Sequence, residues 1–268
     1  MYCSNCNQYG HSNKKCTKPI NSIGIIYKKD DKIVLVNRKY THYYVKLLNF
    51  NFALQETLYI KTLINGLTEY EYTLITSYPY DVLWKSITMP FLIISNDNTI
   101  NKTNFSSKKH RFNKLLNGYT SNGEHIKLQD IYASSSHHKY PNWELPKGKR
   151  MAYELDACAA VREFKEETGI HHEILLDETN YKDIIFRGWD GLMYSHRFYF
   201  YEANEQITLY CDSYNYVQSS EVNKCGWFTY DDIKNKQLFK GMCTEQYKST
   251  IELLDELFYC PPGIYPLI

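Results

Sequence analysis

Three glutamates lie close together in one stretch of the chain, and their spacing suits the binding of a hard metal ion. Glu163, Glu166 and Glu167 are spaced i, i+3 and i+4, so on a helix they share one face. Like charges on one face destabilise an isolated helix, and a divalent cation relieves that repulsion. Because hard cations prefer carboxylate oxygens, the stretch predicts a Mg²⁺ or Mn²⁺ site that faces a phosphorylated substrate.

Two glycines and an arginine frame these glutamates. Gly148 allows a tight turn into the helix, and Gly169 suits the position just after its last turn. Arg162 stands beside the first glutamate, where it can orient a neighbouring carboxylate through a bidentate pair. The segment is therefore predicted to be a loop, a helix and a second loop that together hold an ion.

The segment from Gly148 to Ile170 resembles the Nudix box, G-x5-E-x7-R-E-U-x-E-E-x-G-U, in which U is a bulky apolar residue. Every fixed position is filled, by Gly148, Glu154, Arg162, Glu163, Phe164, Glu166, Glu167, Gly169 and Ile170. A pattern of this length is far more specific than a short glycine motif. The alternative, a merely solvated acidic helix, explains neither the glycines nor the arginine.

The resemblance to the Nudix family implies both a fold and a reaction. The implied fold is of the α+β class, a Nudix α/β/α sandwich with a mixed sheet. The implied reaction is hydrolysis of a nucleoside diphosphate linked to another group. On this resemblance, Glu163, Glu166 and Glu167 bind the metal, with Gly148 in the same site, and Arg162, Glu166 and Glu167 take part in catalysis.

The first sixteen residues offer a second metal site. Three thiolates and one imidazole, the ligand set of a closed structural Zn²⁺ site, come from Cys3, Cys6, His11 and Cys16. The segment is too short and polar to bury a core, so zinc would have to supply its folding energy. The spacing resembles the zinc knuckle of retroviral nucleocapsid-type proteins, although Ser4 stands where that family usually has an aromatic. Tyr2 or Tyr9 could replace it, and the knuckle could bind RNA or dock a protein.

Length, charge and composition limit the class of protein. With 268 residues, 43% of them hydrophobic, the chain can bury a core in one large domain or two small ones. A net charge of +1 argues against coating a nucleic acid by charge alone. No apolar run spans a membrane and no signal peptide is present, so we expect no membrane partner and reduced, mostly buried cysteines outside the knuckle. The expected location is the cytoplasm, the host's if the source is a virus, and packaging in virions is left open.

The elements around the box divide the chain into four parts. Runs rich in β-branched residues at 22–27 and 32–38 predict a hairpin that opens the Nudix domain. Helical spacing within 53–117 predicts a mostly helical lobe inserted before the box. Apolar residues at helical spacing within 244–258 predict an amphipathic helix. The expected parts are a zinc knuckle at 1–18, the first Nudix strands at 19–40, the helical insertion at 41–136 and the Nudix catalytic core at 137–268.

Residues on either side of the box extend the candidate site. In the messenger-RNA decapping Nudix enzymes a glutamate lies six residues before a Trp-Phe strand start, as Glu221 lies before Trp227 here. The resemblance gives Glu221 the role of additional metal ligand, general base or both; the alternative is a surface carboxylate. Lys147 and Lys149 stand where they could contact phosphate oxygens, unless they are ordinary exposed lysines.

The long insertion and the sequence WELPKGK before the box are similar to the decapping enzymes of poxviruses and related large DNA viruses. That resemblance implies a capped messenger RNA as partner, bound by its 7-methylguanosine cap and its body, with release of 7-methyl-GDP; no DNA is expected. The cap base is a cation, which aromatic rings and an acidic group bind well. Asp190 and Tyr194 are the downstream candidates. A second aromatic is expected among Tyr43, Tyr44, Phe50 and Phe52.

Two other functions stay open on the sequence. The first is a different Nudix substrate, either a diphosphoinositol polyphosphate or a free nucleoside diphosphate derivative. A small metabolite of that kind needs neither a helical lobe nor a zinc knuckle. The second is a catalytically silent Nudix module that binds RNA, against which the intact glutamates argue.

Overall fold

The structure, a computed structural model, describes residues 1–259 except 96–101, 136, 140, 206, 213, 236–237 and 240, and it does not describe the side chains at 14, 89–95, 102–103 and 216–217. Two compact units make up the chain. The first comprises Met1–Asn37, Asn142–Ser213 and Val222–Ile268, and the second comprises Arg38–Pro141 and Tyr214–Glu221. The predicted lobe at 41–136 does not include the segment Tyr214–Glu221, and residues 260–268 of the predicted catalytic core lie outside the described part.

The elements are numbered in chain order. The strands are β1 (Tyr2–Cys3), β2 (Gln8–Tyr9), β3 (Ile20–Lys29), β4 (Lys32–Arg38), β5 (Tyr119–Ser121), β6 (Glu124–Ile126), β7 (Trp143–Glu144), β8 (Lys147–Gly148), β9 (Tyr181–Arg187), β10 (Met193–Glu202) and β11 (Val222–Thr229). The α-helices are α1 (His42–Asn49), α2 (Thr57–Asn65), α3 (Glu69–Ser77), α4 (Tyr80–Ser95), α5 (Lys102–Asn117), α6 (Leu128–Ala133), α7 (Asp156–Thr168), α8 (Tyr216–Glu221), α9 (Tyr230–Asn235) and α10 (Thr244–Tyr259).

A mixed sheet forms the centre of the first unit. Its strand order is β11-β4-β3-β10-β9, with β7 paired to β4 and β8 paired to β3. β10 runs parallel to β3, whereas β9 and β4 are antiparallel to their neighbours. The predicted hairpin is confirmed, because β3 and β4 pair around a turn at Asp30, whose φ is 54°. A Cβ at Gly24 would lie 2.1 Å from the carbonyl oxygen of Pro146, so only glycine lets β8 approach β3 this closely.

Helices cover both faces of this sheet. Side chains of a strand alternate between the two faces, and β3 follows this rule. Ile23, Ile25 and Tyr27 pack with the apolar side of α7, while Ile26 joins a second cluster with residues of α9 and α10. The arrangement is the α/β/α sandwich of the Nudix fold, and the box helix is one of its outer layers.

The second unit is mostly helical, and one buried acidic side chain joins the starts of two of its helices. Glu71 is fully buried and accepts hydrogen bonds from the backbone and the hydroxyl of Thr41, which precedes α1. It also accepts from the backbone of Thr68, with which it forms the capping box of α3. Burial raises the pKa of Glu71, although these donors act to lower it. The same side chain therefore fixes the starts of two helices.

The aromatic residues considered for cap binding in this unit are mostly core residues. Tyr44, Phe50 and Phe52 are buried, and the ring of Tyr43 packs against Gly66, where an added Cβ would lie 2.3 Å from ring atoms. Burial inside a helical lobe removes Tyr44, Phe50 and Phe52 from the candidates for a ligand sandwich.

Two remaining expectations concern membranes and thiols. Among the described residues, no helix is both long and apolar enough to cross a membrane. The described cysteines are free thiols, but the expectation of mostly buried thiols outside the knuckle is wrong. Cys158 is exposed and Cys211, Cys225 and Cys243 are half-buried, while Cys260 lies outside the described residues.

Candidate active site

Helix α7 positions the three glutamates of the box. Its apolar side, Ala159, Ala160 and Phe164, is fully buried against the sheet. Burial of the Phe164 ring alone contributes about 2–3 kcal/mol. Gly169 ends the helix in the left-handed region at φ 69°, which glycine adopts without strain. The helix therefore has little freedom to rotate, and the glutamates on its other side stay in place.

Arg162 uses all five of its N–H donors on this cluster. Its Nε and Nη2 form a bidentate pair with Glu154 at 2.8 and 3.0 Å, and Nη2 also donates to the carbonyl oxygen of Lys149 at 2.9 Å. Its Nη1 donates to Glu163 at 2.8 Å and to Glu166 at 3.1 Å. Burial acts to lower the pKa of Arg162, but the hydrogen bonds and charges of its partners raise it above the ordinary value. The side chain is thus a permanent cation that orients carboxylates.

Glu167 and the strand before the box are joined by a buried network. The backbone N–H of Lys147 donates to Glu167 at 2.9 Å, and the Lys147 ammonium pairs with Glu144 at 2.7 Å. All three side chains are less than a tenth exposed. The structure therefore places the Lys147 ammonium on a buried carboxylate, and its predicted contact with phosphate stays a prediction. Lys149 contributes its backbone carbonyl to Arg162.

The carboxylates fit a hard divalent ion in their chemistry. Within the described residues, the one group of at least three Cys, His, Asp or Glu side chains already gathered around a common point is Cys3, Cys6, His11 and Cys16. Glu163 and Glu166 converge instead on the Nη1 of Arg162. The side chain of Glu166 is 36% exposed and can reorient toward an ion. Glu163, Glu166 and Glu167 would hold Mg²⁺ or Mn²⁺ through oxygen atoms, the ligands that these ions prefer.

The knuckle ligands are arranged as a zinc site requires. The four ligand atoms all lie within 4.8 Å of one another, and ligand atoms around a tetrahedral zinc lie about 3.5–4 Å apart. Burial acts to raise the pKa of the Cys16 thiol, but hydrogen bonds from Asn5 and His11 lower it to about 6. Asn5 Nδ2 lies 3.3 Å from the Cys16 sulfur. The lowered pKa of Cys16 favours its thiolate, the form that binds metal.

Two predicted cap contacts lie at the start of β10. Tyr194 donates a hydrogen bond to Asp190 at 2.8 Å, so the structure brings these two residues together. The ring of Tyr194 also stacks on Phe186, with centroids 5.6 Å apart. Glu221 is the last residue of α8 and belongs to the second unit, where its carbonyl accepts the backbone N–H of Lys39. Its predicted part in the metal site stays a prediction.

Comparison with known proteins agrees with this geometry. The NUDIX domain family matches residues 120–247. The chain contains a Nudix domain. A relative from Acanthamoeba polyphaga mimivirus, named "Putative mRNA-decapping protein", is 26% identical over 224 residues. The match covers 77% of this chain, which spans about 60% of the length of that relative.

Solved structures similar to this chain include two hydrolases. The crystal structure of the C. elegans Ap4A hydrolase is 22% identical and covers 44% of this chain and 75% of its own, with a TM-score of 0.30. A Nudix hydrolase from M. smegmatis is 19% identical and covers 48% of this chain and 72% of its own, with a TM-score of 0.34.

Arg150 joins the zinc knuckle to the Nudix box, a link that the sequence analysis did not find. Its Nε and Nη2 donate to the carbonyl oxygen of Ser4 at 3.1 and 3.0 Å, and Nη2 also donates to that of Asn5 at 3.2 Å. Its Nη1 pairs with Asp156, the first residue of α7, to which Arg197 also donates at 2.9 Å. The only signal in the sequence was an arginine next to the box loop, and nothing in it indicated backbone carbonyls as partners.

Replacing Gly148 with alanine should displace Glu163, a predicted metal ligand of the Nudix box. A Cβ at this position would lie 1.9 Å from Glu163 Oε2 and 2.0 Å from its Cδ, far inside contact distance. We expect Gly148→Ala to weaken Mn²⁺ binding at least about tenfold, a loss of about 1.4 kcal/mol. Titration of Mn²⁺ followed by electron paramagnetic resonance measures this affinity.

The matched control for this variant is Gly123→Ala, because nothing lies within 4 Å of a Cβ at that exposed turn. The two variants carry the same change, from glycine to alanine. They differ in the clash with Glu163, which occurs only at position 148, and in the positive φ of 80°, which occurs only at Gly123. Unchanged Mn²⁺ affinity in Gly148→Ala would contradict the placement of Glu163 in the ion site.

Glu154 should make the Nudix domain less stable in acid. Hydrogen bonds from Arg162 are the main reason that the pKa of Glu154 lies below its ordinary 4.5. A depressed pKa in the folded state contributes stability above the unfolded value, and this contribution is lost as pH falls through the folded value. Relative to wild type, Glu154→Gln should lower the free energy of unfolding by about 2 kcal/mol at pH 7. The difference should vanish on acidification below 4.5.

Urea unfolding of both proteins across this pH range measures the effect. Glu178→Gln, at an exposed position outside the box, serves as the control and should follow wild type at every pH. A constant difference between wild type and Glu154→Gln down to the lowest pH would show that the pair with Arg162 does not carry the effect.

Proposed function

We propose that the Nudix domain hydrolyses the 5′ cap of messenger RNA, releasing 7-methyl-GDP and RNA with a 5′-monophosphate. The observation that carries the proposal is the box itself: three glutamates on α7, two of them hydrogen-bonded to Arg162, beside a glycine that admits Glu163. The relative named as an mRNA-decapping protein supports the choice of a cap. The knuckle ligand set supports a polymeric substrate, because a free nucleotide needs no such module.

The residues of the chain then divide the work as follows. Glu163, Glu166 and Glu167 would hold a divalent ion, which would supply the Lewis acidity that polarises phosphate oxygen and favours ionisation of water. Arg162 holds the Glu163 carboxylate by a hydrogen bond of 2.8 Å. The water oxygen attacks phosphorus, the bridging P–O bond breaks, and the bridging oxygen leaves as a terminal phosphate oxygen of the other product. We assign the proton of the water to a carboxylate.

In this proposal, Asp190 and Tyr194, near the start of β10, bind the cap base. Asp190 offers a carboxylate to the cationic base and Tyr194 holds that carboxylate by its hydroxyl, 2.8 Å away. Lys149, beside the box loop, is the proposed contact for the cap phosphates.

RNA labelled in its cap phosphates tests the reaction. Incubation with Mn²⁺ should release labelled 7-methyl-GDP and leave RNA with a 5′-monophosphate. No release, with turnover of inositol pyrophosphates or free nucleoside diphosphate derivatives, would overturn the substrate in favour of another Nudix reaction. Binding of capped RNA without turnover of any of these compounds would instead indicate a silent binding module.

The proposed substrate also indicates where in the cell the protein acts. We propose the cytoplasm, the host's if the source is a virus. Confinement of a fluorescently tagged chain to the nucleus would contradict this assignment.

A further inference from the structure

Three tyrosines meet where the zinc knuckle touches the loop of the Nudix box. Tyr2 stacks on Tyr153, with ring centroids 4.3 Å apart and an interplanar angle of 23°. Tyr9 packs edge-on against Tyr2 at 5.3 Å and lies 6.5 Å from Tyr153. Tyr2 and Tyr9 belong to the paired strands β1 and β2, whereas Tyr153 belongs to the loop between β8 and α7. We call these three residues the tyrosine cluster.

Much of the cluster faces solvent. Tyr9 is 73% exposed and Tyr153 is 68% exposed. Tyr153 also has a φ of 65°, in the left-handed region that residues with large side chains rarely adopt. Exposure of an aromatic ring combined with an unfavourable backbone conformation is not explained by core packing, and such positions concentrate at functional sites.

The backbone on both sides of the cluster is anchored. Arg150, three residues before Tyr153, donates to the carbonyl oxygens of Ser4 and Asn5 and pairs with Asp156. The paired strands and the four metal ligands hold the knuckle side. A ligand that stacks on these rings therefore meets a preformed surface and does not have to order it, which favours affinity.

The charge around the cluster favours a polyanion. The knuckle, residues 1–18, contains three lysines and no aspartate or glutamate. Lys15 and Lys18 are exposed. Single-stranded nucleic acids are bound by this combination of aromatic rings for the bases and cations for the phosphates. A protein partner would not require the same absence of acidic residues.

We propose that the tyrosine cluster stacks unpaired bases of the RNA body, so that the knuckle and the box loop form one composite RNA site. This inference rests on the proposed function for the choice of RNA. The cluster spans the knuckle and the Nudix domain, and each contributes an exposed ring. Glu154 follows Tyr153 in the chain, and Arg162 links Glu154 to Glu163, one of the proposed metal ligands. A base that stacks on Tyr153 would therefore lie close to the proposed metal site.

Equilibrium binding of an uncapped RNA tests the cluster apart from catalysis. The probe is a single-stranded RNA of roughly 12 nucleotides with a 5′-monophosphate and a fluorescent 3′ end, a length within the range of such sites. Fluorescence anisotropy with the full, zinc-loaded chain gives the Kd. Stacking on one aromatic side chain contributes about 1–3 kcal/mol per base, so we expect Tyr153→Leu and Tyr9→Leu each to weaken binding about tenfold.

Two further variants separate stacking from folding. Tyr153→Trp keeps an aromatic face on the same backbone and should retain affinity, whereas Tyr153→Leu shares the backbone conformation and lacks the ring. Tyr210→Leu removes a tyrosine that is 61% exposed outside the cluster and should bind as wild type does. Zinc content and circular dichroism check that each variant is folded.

Equal affinities of wild type and Tyr153→Leu would overturn the proposal, as would a complete lack of RNA binding by wild type. Tighter binding of single-stranded DNA than of RNA would overturn the assignment to RNA. Because the probe has no cap, a chain that fails to release 7-methyl-GDP can still support the tyrosine cluster. A chain that cuts caps and binds RNA independently of Tyr153 keeps the proposed function and loses the cluster.

Discussion

Glu166→Gln should reduce release of 7-methyl-GDP by about three orders of magnitude, because a metal-bound carboxylate contributes several kcal/mol and each 1.36 kcal/mol is a factor of about ten. Glutamine keeps the size and shape of the side chain and removes the charge that an ion requires. Glu166 is half-exposed and receives a single hydrogen bond from Arg162, so the change should leave the fold intact. The measurement is the rate of cap hydrolysis at saturating Mn²⁺.

Glu167→Gln should reduce the release of 7-methyl-GDP to the same extent, although the side chains of Glu166 and Glu167 differ in their surroundings. Glu167 is buried and accepts the backbone N–H of Lys147, a bond that the glutamine carbonyl can still accept. Glu178→Gln at an exposed position outside the box is the matched control and should keep the wild-type rate. Wild-type rates in Glu166→Gln or Glu167→Gln would show that the metal assignment is wrong.

Removal of zinc should unfold the knuckle and disturb the Nudix box at the same time. Structural zinc contributes about 10–16 kcal/mol to the folding of small zinc modules. The knuckle has little core of its own, with Cys3 as its one buried hydrophobic residue among the described residues. Without zinc, the carbonyl oxygens of Ser4 and Asn5 should leave Arg150, and the box loop should lose that anchor.

Native mass spectrometry and hydrogen exchange measure these two effects. We expect one zinc per chain in wild type, none in Cys16→Ser, and faster exchange at 149–155 in Cys16→Ser. Cys158→Ser replaces an exposed thiol outside the ligand set and should behave as wild type does. Full zinc occupancy in Cys16→Ser, or unchanged exchange in the box loop, would contradict the link between knuckle and box.

The elements differ in how well the sequence predicted them. The predicted helix at 244–258 corresponds to α10 at Thr244–Tyr259, because an apolar stripe repeats along it with helical spacing. The helical spacing predicted within 53–117 includes α5, but its start at Lys102 carries no periodic signal because its first three residues are polar. Basic residues of α5 are partly used by the second unit itself: Arg111 donates to the carbonyl oxygen of Phe52 at 2.7 Å, and Lys109 pairs with Asp81.

The sequence by itself determined the Nudix box, the zinc ligand set and the first hairpin, because each of these depends on residue types at short, fixed separations along the chain. The tertiary structure decided which partners the functional groups have. It turned the Lys147 ammonium onto Glu144, placed Glu163 against Gly148, buried Tyr44 and docked the knuckle on Arg150. These contacts arise only when segments far apart in the sequence pack together, as β8 does on β3, and local spacing does not show which distant group will lie within hydrogen-bonding distance.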